Sequence, residues 1–116
     1  MGQEHNLHSD QFIDLHHWSD FTSLDKAKAL VGEGGGLHSY ATYYGVPDEG
    51  GSEGLVWAFN NPERGWNDRM GASGGRNIRI SFRIPKSEAV YQGDETYGVE
   101  RSVLPSEIYR YTYRSE

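Results

Sequence analysis

Three carboxylates fall close together near the end of the chain, Asp94, Glu95 and Glu100, within a polar stretch that runs from Tyr91 to Glu100. A carboxylate held in place is the group with which proteins stabilise positive charge on a sugar carbon or take a proton from a hydroxyl. The five histidines, His5, His8, His16, His17 and His38, are the side chains that titrate near neutrality. His17 stands at the end of an alternating segment, directly before Trp18-Ser19, where its ring can hydrogen-bond a ligand. Arg64, Arg69, Arg76, Arg79 and Arg83 fall within about twenty residues, a guanidinium cluster suited to a phosphate-bearing small molecule.

Other chemistries are excluded. The chain has no cysteine, which removes disulfides, thiolate nucleophiles and Cys-ligated zinc. His5-x-x-His8 lies in a polar tail, and His16-His17 on a strand would point to opposite faces, so no metal site is expected. No Gly-x-Ser-x-Gly elbow supports a Ser-His-Asp triad. Gly34-Gly35-Gly36 lacks the Gly-x-x-x-x-Gly-Lys-Ser/Thr pattern and follows a helix instead of opening one, so it is not a phosphate loop.

The elements that must position these groups follow from periodicity. In residues 78–84 Ile78, Ile80, Phe82 and Ile84 alternate with Arg79, Ser81 and Arg83, the pattern of a strand with one buried face. Pro85 cannot donate a ladder hydrogen bond and should end it. A last strand is expected over residues 106–114, after Leu104-Pro105, with Tyr109, Tyr111 and Tyr113 on one face, and residues 91–100 between the two read as an acidic loop. Residues 12–18 alternate loosely and read as a first strand. Thr22 or Ser23 caps a helix over residues 23–31, with Asp25 favourable to its dipole and Gly32 as its terminator. Residues 40–44 suit a strand or an aromatic loop, residues 55–59 a buried central strand ended by Asn60-Asn61-Pro62, and residues 63–75 a long, polar binding loop. The sum is an α+β domain in which sheet predominates.

At 116 residues the chain is the length of one domain, with residues 1–10 as a flexible tail and 11–116 as the folded unit. A net charge of -6 opposes broad nucleic-acid binding, which needs a basic surface. No apolar run is long enough for a membrane span, and Met1-Gly2 followed by Asn6 fails the myristoylation pattern.

The ordered motifs resemble the ADP-ribosyltransferase fold in its His-containing, toxin or effector class. His17-Trp18-Ser19, the helix that follows and Gly35-Gly36-Leu37 look like its opening; Leu55-Val56-Trp57-Ala58-Phe59-Asn60-Asn61-Pro62 is similar to its middle strand and turn. Val99-Glu100-Arg101-Ser102-Val103-Leu104-Pro105 resembles its third motif, a Glu before Leu-Pro and the last strand. The middle strand here has Trp57 where the family usually has Tyr or Ser-Thr-Ser, leaving Tyr40, Tyr43 or Tyr44 as substitutes. Glu100 stands one residue farther from Leu-Pro than in many members, so Asp94, Glu95 or Glu107 is also open to the acidic role.

The resemblance implies NAD as substrate, split at its nicotinamide–ribose bond by a transferase or an NAD glycohydrolase without a metal. Glu100 or Asp94 would stabilise the oxocarbenium-like sugar, and His17 would hold ribose or diphosphate. Trp18, Ser19, Tyr40, Tyr43, Trp57 and Asn60 would line the nucleotide site, with Arg79 on phosphate. It also implies a protein or nucleic-acid acceptor, a cognate immunity protein, and secretion or delivery into a target-cell cytoplasm. Two other classes fit the residues: a ribonuclease toxin with His17 or His38 as base, and a non-catalytic inhibitor or immunity-type module that meets a basic partner through aromatic and acidic surface.

Overall fold

A computed structural model describes residues 11–19, 21, 23–39, 54–63 and 78–113. The strand with the clearest alternation, β3 (Ile78–Pro85), is its centre: Ile78, Ile80, Phe82 and Ile84 are all wholly buried, and Pro85 takes the last position. β1 (Phe12–Ser19) pairs with β3 antiparallel along its whole length, from Phe12 opposite Pro85 to Ser19 opposite Ile78. Leu15, His17 and Ser19 therefore share the core side with Ile80 and Phe82, while Asp14, His16 and Trp18 look the other way.

Between Ser19 and β2 (Val56–Phe59) comes helix α1 (Leu24–Glu33). Ser23 is its N-cap, accepting from the Lys26 amide at 3.1 Å. The helix runs past the expected stop at Gly32, because Gly34 is the residue that closes it, donating its amide to the Leu30 carbonyl. Gly35 and Gly36, with φ of 80° and 138°, then turn the chain out of the helix. Gly36 admits no side chain, since a Cβ there would overlap the Val103 carbonyl, to which Leu37 is bonded as one rung of an isolated bridge. Ala27 and Val31 of α1 close on the core beside Leu37 and Val103.

The stretch expected to be an acidic loop is instead a β-hairpin. β4 (Ala89–Gly93) and β5 (Thr96–Val99) pair antiparallel and turn at Asp94-Glu95. Alternation was masked here by Gly93, Gly98 and the exposure of Val90 and Tyr91. A second correction concerns β6 (Ile108–Tyr113), which pairs with β3. Ile80 faces Tyr111 and Ser81 faces Arg110, yet Phe82 faces Ile108, so Tyr109 is the extra residue of a bulge. It leaves the Tyr111 and Tyr113 side for the outer face, where Asp14 holds Arg83 at 2.8 and 3.1 Å.

The strands form one six-stranded sheet in the order β4-β5-β2-β1-β3-β6. A flat sheet in this order cannot exist. Four strand spacings, roughly 19 Å, would separate β3 from β4. The link between them is the three-residue 3-10 turn Lys86–Glu88, whose extended reach would be only about 13 Å. The sheet therefore bends, and it bends where pairing is weakest: β1 meets β2 at a single rung, His16 opposite Phe59. On one side lie β1, β3 and β6, on the other β2, β5 and β4.

Arg101 fastens this bend. Its guanidinium donates to both oxygens of Glu88, in the β3–β4 link, at 3.0 and 2.9 Å. It also donates to both oxygens of Glu107, at the foot of β6, at 2.8 Å each. Arg101 holds the Glu88 and Glu107 carboxyls below their ordinary value of 4.5. Because the folded values are depressed, the contribution is complete above the unfolded carboxyl value and is lost as pH falls through the folded ones. Arg101→Leu should lower stability by about 1 kcal/mol at neutral pH. In urea melts the gap from the parent should close progressively below pH 4.5; a gap constant down to pH 2 (roughly two units under the ordinary carboxyl range) would contradict the clamp.

Candidate functional site

Immediately after the single β1–β2 rung, His17 turns its ring toward β2, and its Nδ1 lies 2.6 Å from the Trp57 carbonyl. A carbonyl only accepts, so Nδ1 carries the hydrogen, and in the neutral ring Nε2 is the acceptor. Side-chain bonding thus continues β1 to β2 contact where the ladder has stopped. Next to His17 on the core side of β2 is Ala58, which stands opposite Tyr97 of β5. The small Ala58 side chain and the half-buried Tyr97, its ring 5.3 Å from that of Tyr91, separate His17 from the β4–β5 turn.

That turn is strained. Asp94 and Glu95 have φ of 54° and 63°, the left-handed region in consecutive residues that a tight two-residue hairpin requires. Asn or Asp followed by Gly is the favoured choice there, and a glutamate in the second place costs about 1 kcal/mol or more. The Asn60 amide, at the exit of β2, donates to the Glu95 carbonyl at 3.1 Å and fixes the turn against β2. Glu95 is half-buried and Asp94 exposed. The two φ angles are invisible in a sequence read without a register, although Gly93-Asp94-Glu95 is composed as a turn.

Glu100 lies at the opposite end of β5, exposed at a bend just past Val99. Val99 and its partner Val56 are buried with Leu37 and Val103, and these packed side chains occupy the core side next to it. Glu107 is committed to Arg101 and accepts from the Leu104 amide.

The outer face carries a separate polar group of residues. His16 Nδ1 is 2.8 Å from Ser81 Oγ in a buried pair, and burial, with the neighbouring Arg79 charge, pushes the imidazole down to about 4. Trp18 is buried there, its ring 6.0 Å from the Arg79 guanidinium, which also donates to the Pro62 carbonyl at 2.6 Å. Arg79 and Arg83 thus sit across the sheet from His17. Ser19 Oγ is buried and donates to the Ile78 carbonyl at 3.1 Å. Of the expected site residues, His17 bonds the backbone carbonyl of Trp57 at one edge of β2 and the Asp94-Glu95 turn bonds Asn60 at the other, while the Trp57 side chain lies on the face opposite His17; Tyr40, Tyr43, Tyr44, Arg64, Arg69 and Arg76 lie outside the described residues.

Among the described residues, no group of three or more His, Asp or Glu side chains is placed to hold a metal ion, and no helix is long and apolar enough to cross a membrane. No protein-family model, curated protein or solved structure matches the chain.

Two outcomes test this geometry. Glu95→Gly should raise stability by about 0.5–1 kcal/mol in chemical denaturation, since glycine accepts the left-handed turn without steric cost; a loss of stability would show that the turn is not strained. His16, depressed from 6.5 to about 4, binds fewer protons folded than unfolded, so stability should rise with pH across that window. Ring-proton NMR should find it neutral at pH 5.5 (a unit below an ordinary imidazole), and a normal titration would contradict its burial.

Proposed function

We propose that the chain cleaves NAD at the nicotinamide–ribose bond, as an ADP-ribosyltransferase-like domain passing ADP-ribose to water or to a macromolecule. The observation that carries the reading is the placement of His17 and the Asp94-Glu95 turn on either side of β2, one bonded to the Trp57 carbonyl and the other to the Asn60 amide. The ordered resemblance of the His17-Trp18-Ser19, Leu55-to-Pro62 and Val99-to-Pro105 segments supplies the reaction class.

Departure of nicotinamide leaves positive charge on the ribose, and a fixed carboxylate beside the anomeric carbon stabilises that charge more than it stabilises the bound substrate. Glu95 is the acid assigned to this role. It is half-buried, held by its own backbone bond, and kept in a turn where a smaller residue would be more stable. Asp94, beside it, adds negative potential. His17, oriented by the Nδ1–H bond it gives to Trp57, is assigned to position the ribose. Arg79, on the outer face, has no part in this assignment, and neither does Glu100.

Incubation of the full chain with NAD, with and without protein and RNA acceptors, should release nicotinamide. Glu95→Gln should reduce the rate about a hundredfold or more, and Glu100→Gln should leave it within about twofold. No nicotinamide from the parent under any of these conditions would overturn the reading, and loss of activity in Glu100→Gln alone would move the acid to the far end of β5.

A further inference from the structure

A second constellation lies away from the β1–β2 junction, between the end of α1 and the β5–β6 connection, and it is independent of NAD chemistry. His38 Nδ1 is 2.5 Å from Ser102 Oγ, and His38 Nε2 is 2.5 Å from the Gly34 carbonyl. The carbonyl can only accept, so Nε2 carries the ring hydrogen. Nδ1 is then the lone-pair nitrogen, and it accepts the Ser102 hydroxyl hydrogen. A nucleophile bonded to a base, and the base bonded to a third group that fixes its tautomer, is the arrangement by which proteins activate a hydroxyl.

The third group is usually a carboxylate. Here a helix end takes its place, because Gly34 is the C-cap of α1 and its carbonyl lies at the negative end of the helix dipole. A Cβ at Gly34 would stand 2.8 Å from the Leu30 carbonyl, so a side chain there would disturb the helix end that holds the His38 ring. Both His38 and Ser102 keep part of their surface open. Arg101 Nη1 donates to the Ser102 carbonyl at 2.9 Å, which fixes the backbone that carries the nucleophile.

The geometry points to Ser102 as a His38-activated nucleophile that accepts the acyl group of a carboxylic ester. Ser102 Oγ would attack the carbonyl carbon as its proton passes to His38 Nδ1. Collapse of the tetrahedral species breaks the ester C–O bond, and His38 returns the proton to the departing alcohol. Water then hydrolyses acyl-Ser102 by the same route, giving the acid and restoring the hydroxyl.

The test uses the full chain, 4-nitrophenyl acetate and a fluorophosphonate probe, with adducts located by peptide mass mapping. The expected result is labelling at Ser102, with the exposed Ser87 and Ser106 as internal references that stay unmodified. His38→Gln should slow both labelling and nitrophenol release about a hundredfold, and Ser102→Ala should abolish the adduct. Equal labelling of Ser87 or Ser106, no adduct at Ser102, or a rate unchanged by His38→Gln in a variant that melts cooperatively would each overturn the proposal. Because the comparison among serines is made in the parent chain, it decides the matter even if the histidine variant fails to fold.

Discussion

The short connection between β3 and β4 is the constraint from which the rest of this architecture follows. With four strand spacings to cross and only Lys86–Glu88 to cross them, the chain trades ladder hydrogen bonds between β1 and β2 for a bend. Two consequences follow on the same spot. Backbone groups of β2 that a continuous ladder would consume become accessible to side chains, and His17 takes one of them. The β4–β5 turn, carried on the other arm of the bend, is brought against the exit of β2 through Asn60.

A bent sheet with one connecting rung needs fastening elsewhere, and the fastenings are polar. Arg101 joins the β3–β4 link to the foot of β6 with paired carboxylates, while Leu37 and Val103 exchange backbone bonds across the connection that precedes β6. The apolar core does the remaining work. Ile78, Ile80, Phe82 and Ile84 on one arm, and Val56, Ala58 and Val99 on the other, are buried together with Ala27 and Val31 of the helix. Burial of such side chains is worth roughly 1.5–3 kcal/mol each before the entropy of ordering is counted.

Much of this was legible in the residues. The Ile-Arg-Ile-Ser-Phe-Arg-Ile alternation defines β3, the Ser23 cap and Asp25 define the start of the helix, and the run Val56 to Phe59 defines a buried strand. What was not legible depends on register. The bulge that removes Tyr109 from the row of Tyr111 and Tyr113 exists only because Phe82 pairs with Ile108. The hairpin of β4 and β5 lacks the alternation of a half-buried strand because β4 lies at the sheet edge with Val90 and Tyr91 exposed. For the same reason the acidic stretch gave no way to choose among Asp94, Glu95 and Glu100. The choice rests on backbone angles and on which side of β5 is already packed.

The central claim is that His17 and Glu95 contact one nucleotide across β2. Its most direct measurement is an NMR titration of the parent chain with NAD, following the His17 imidazole nitrogens and the side-chain carboxyl carbons of Glu95 and Glu100. The account predicts that the His17 and Glu95 signals move together along one binding isotherm while Glu100 stays in place. Movement of Glu100 with His17, or saturation of NAD with no change at either His17 or Glu95, would contradict it.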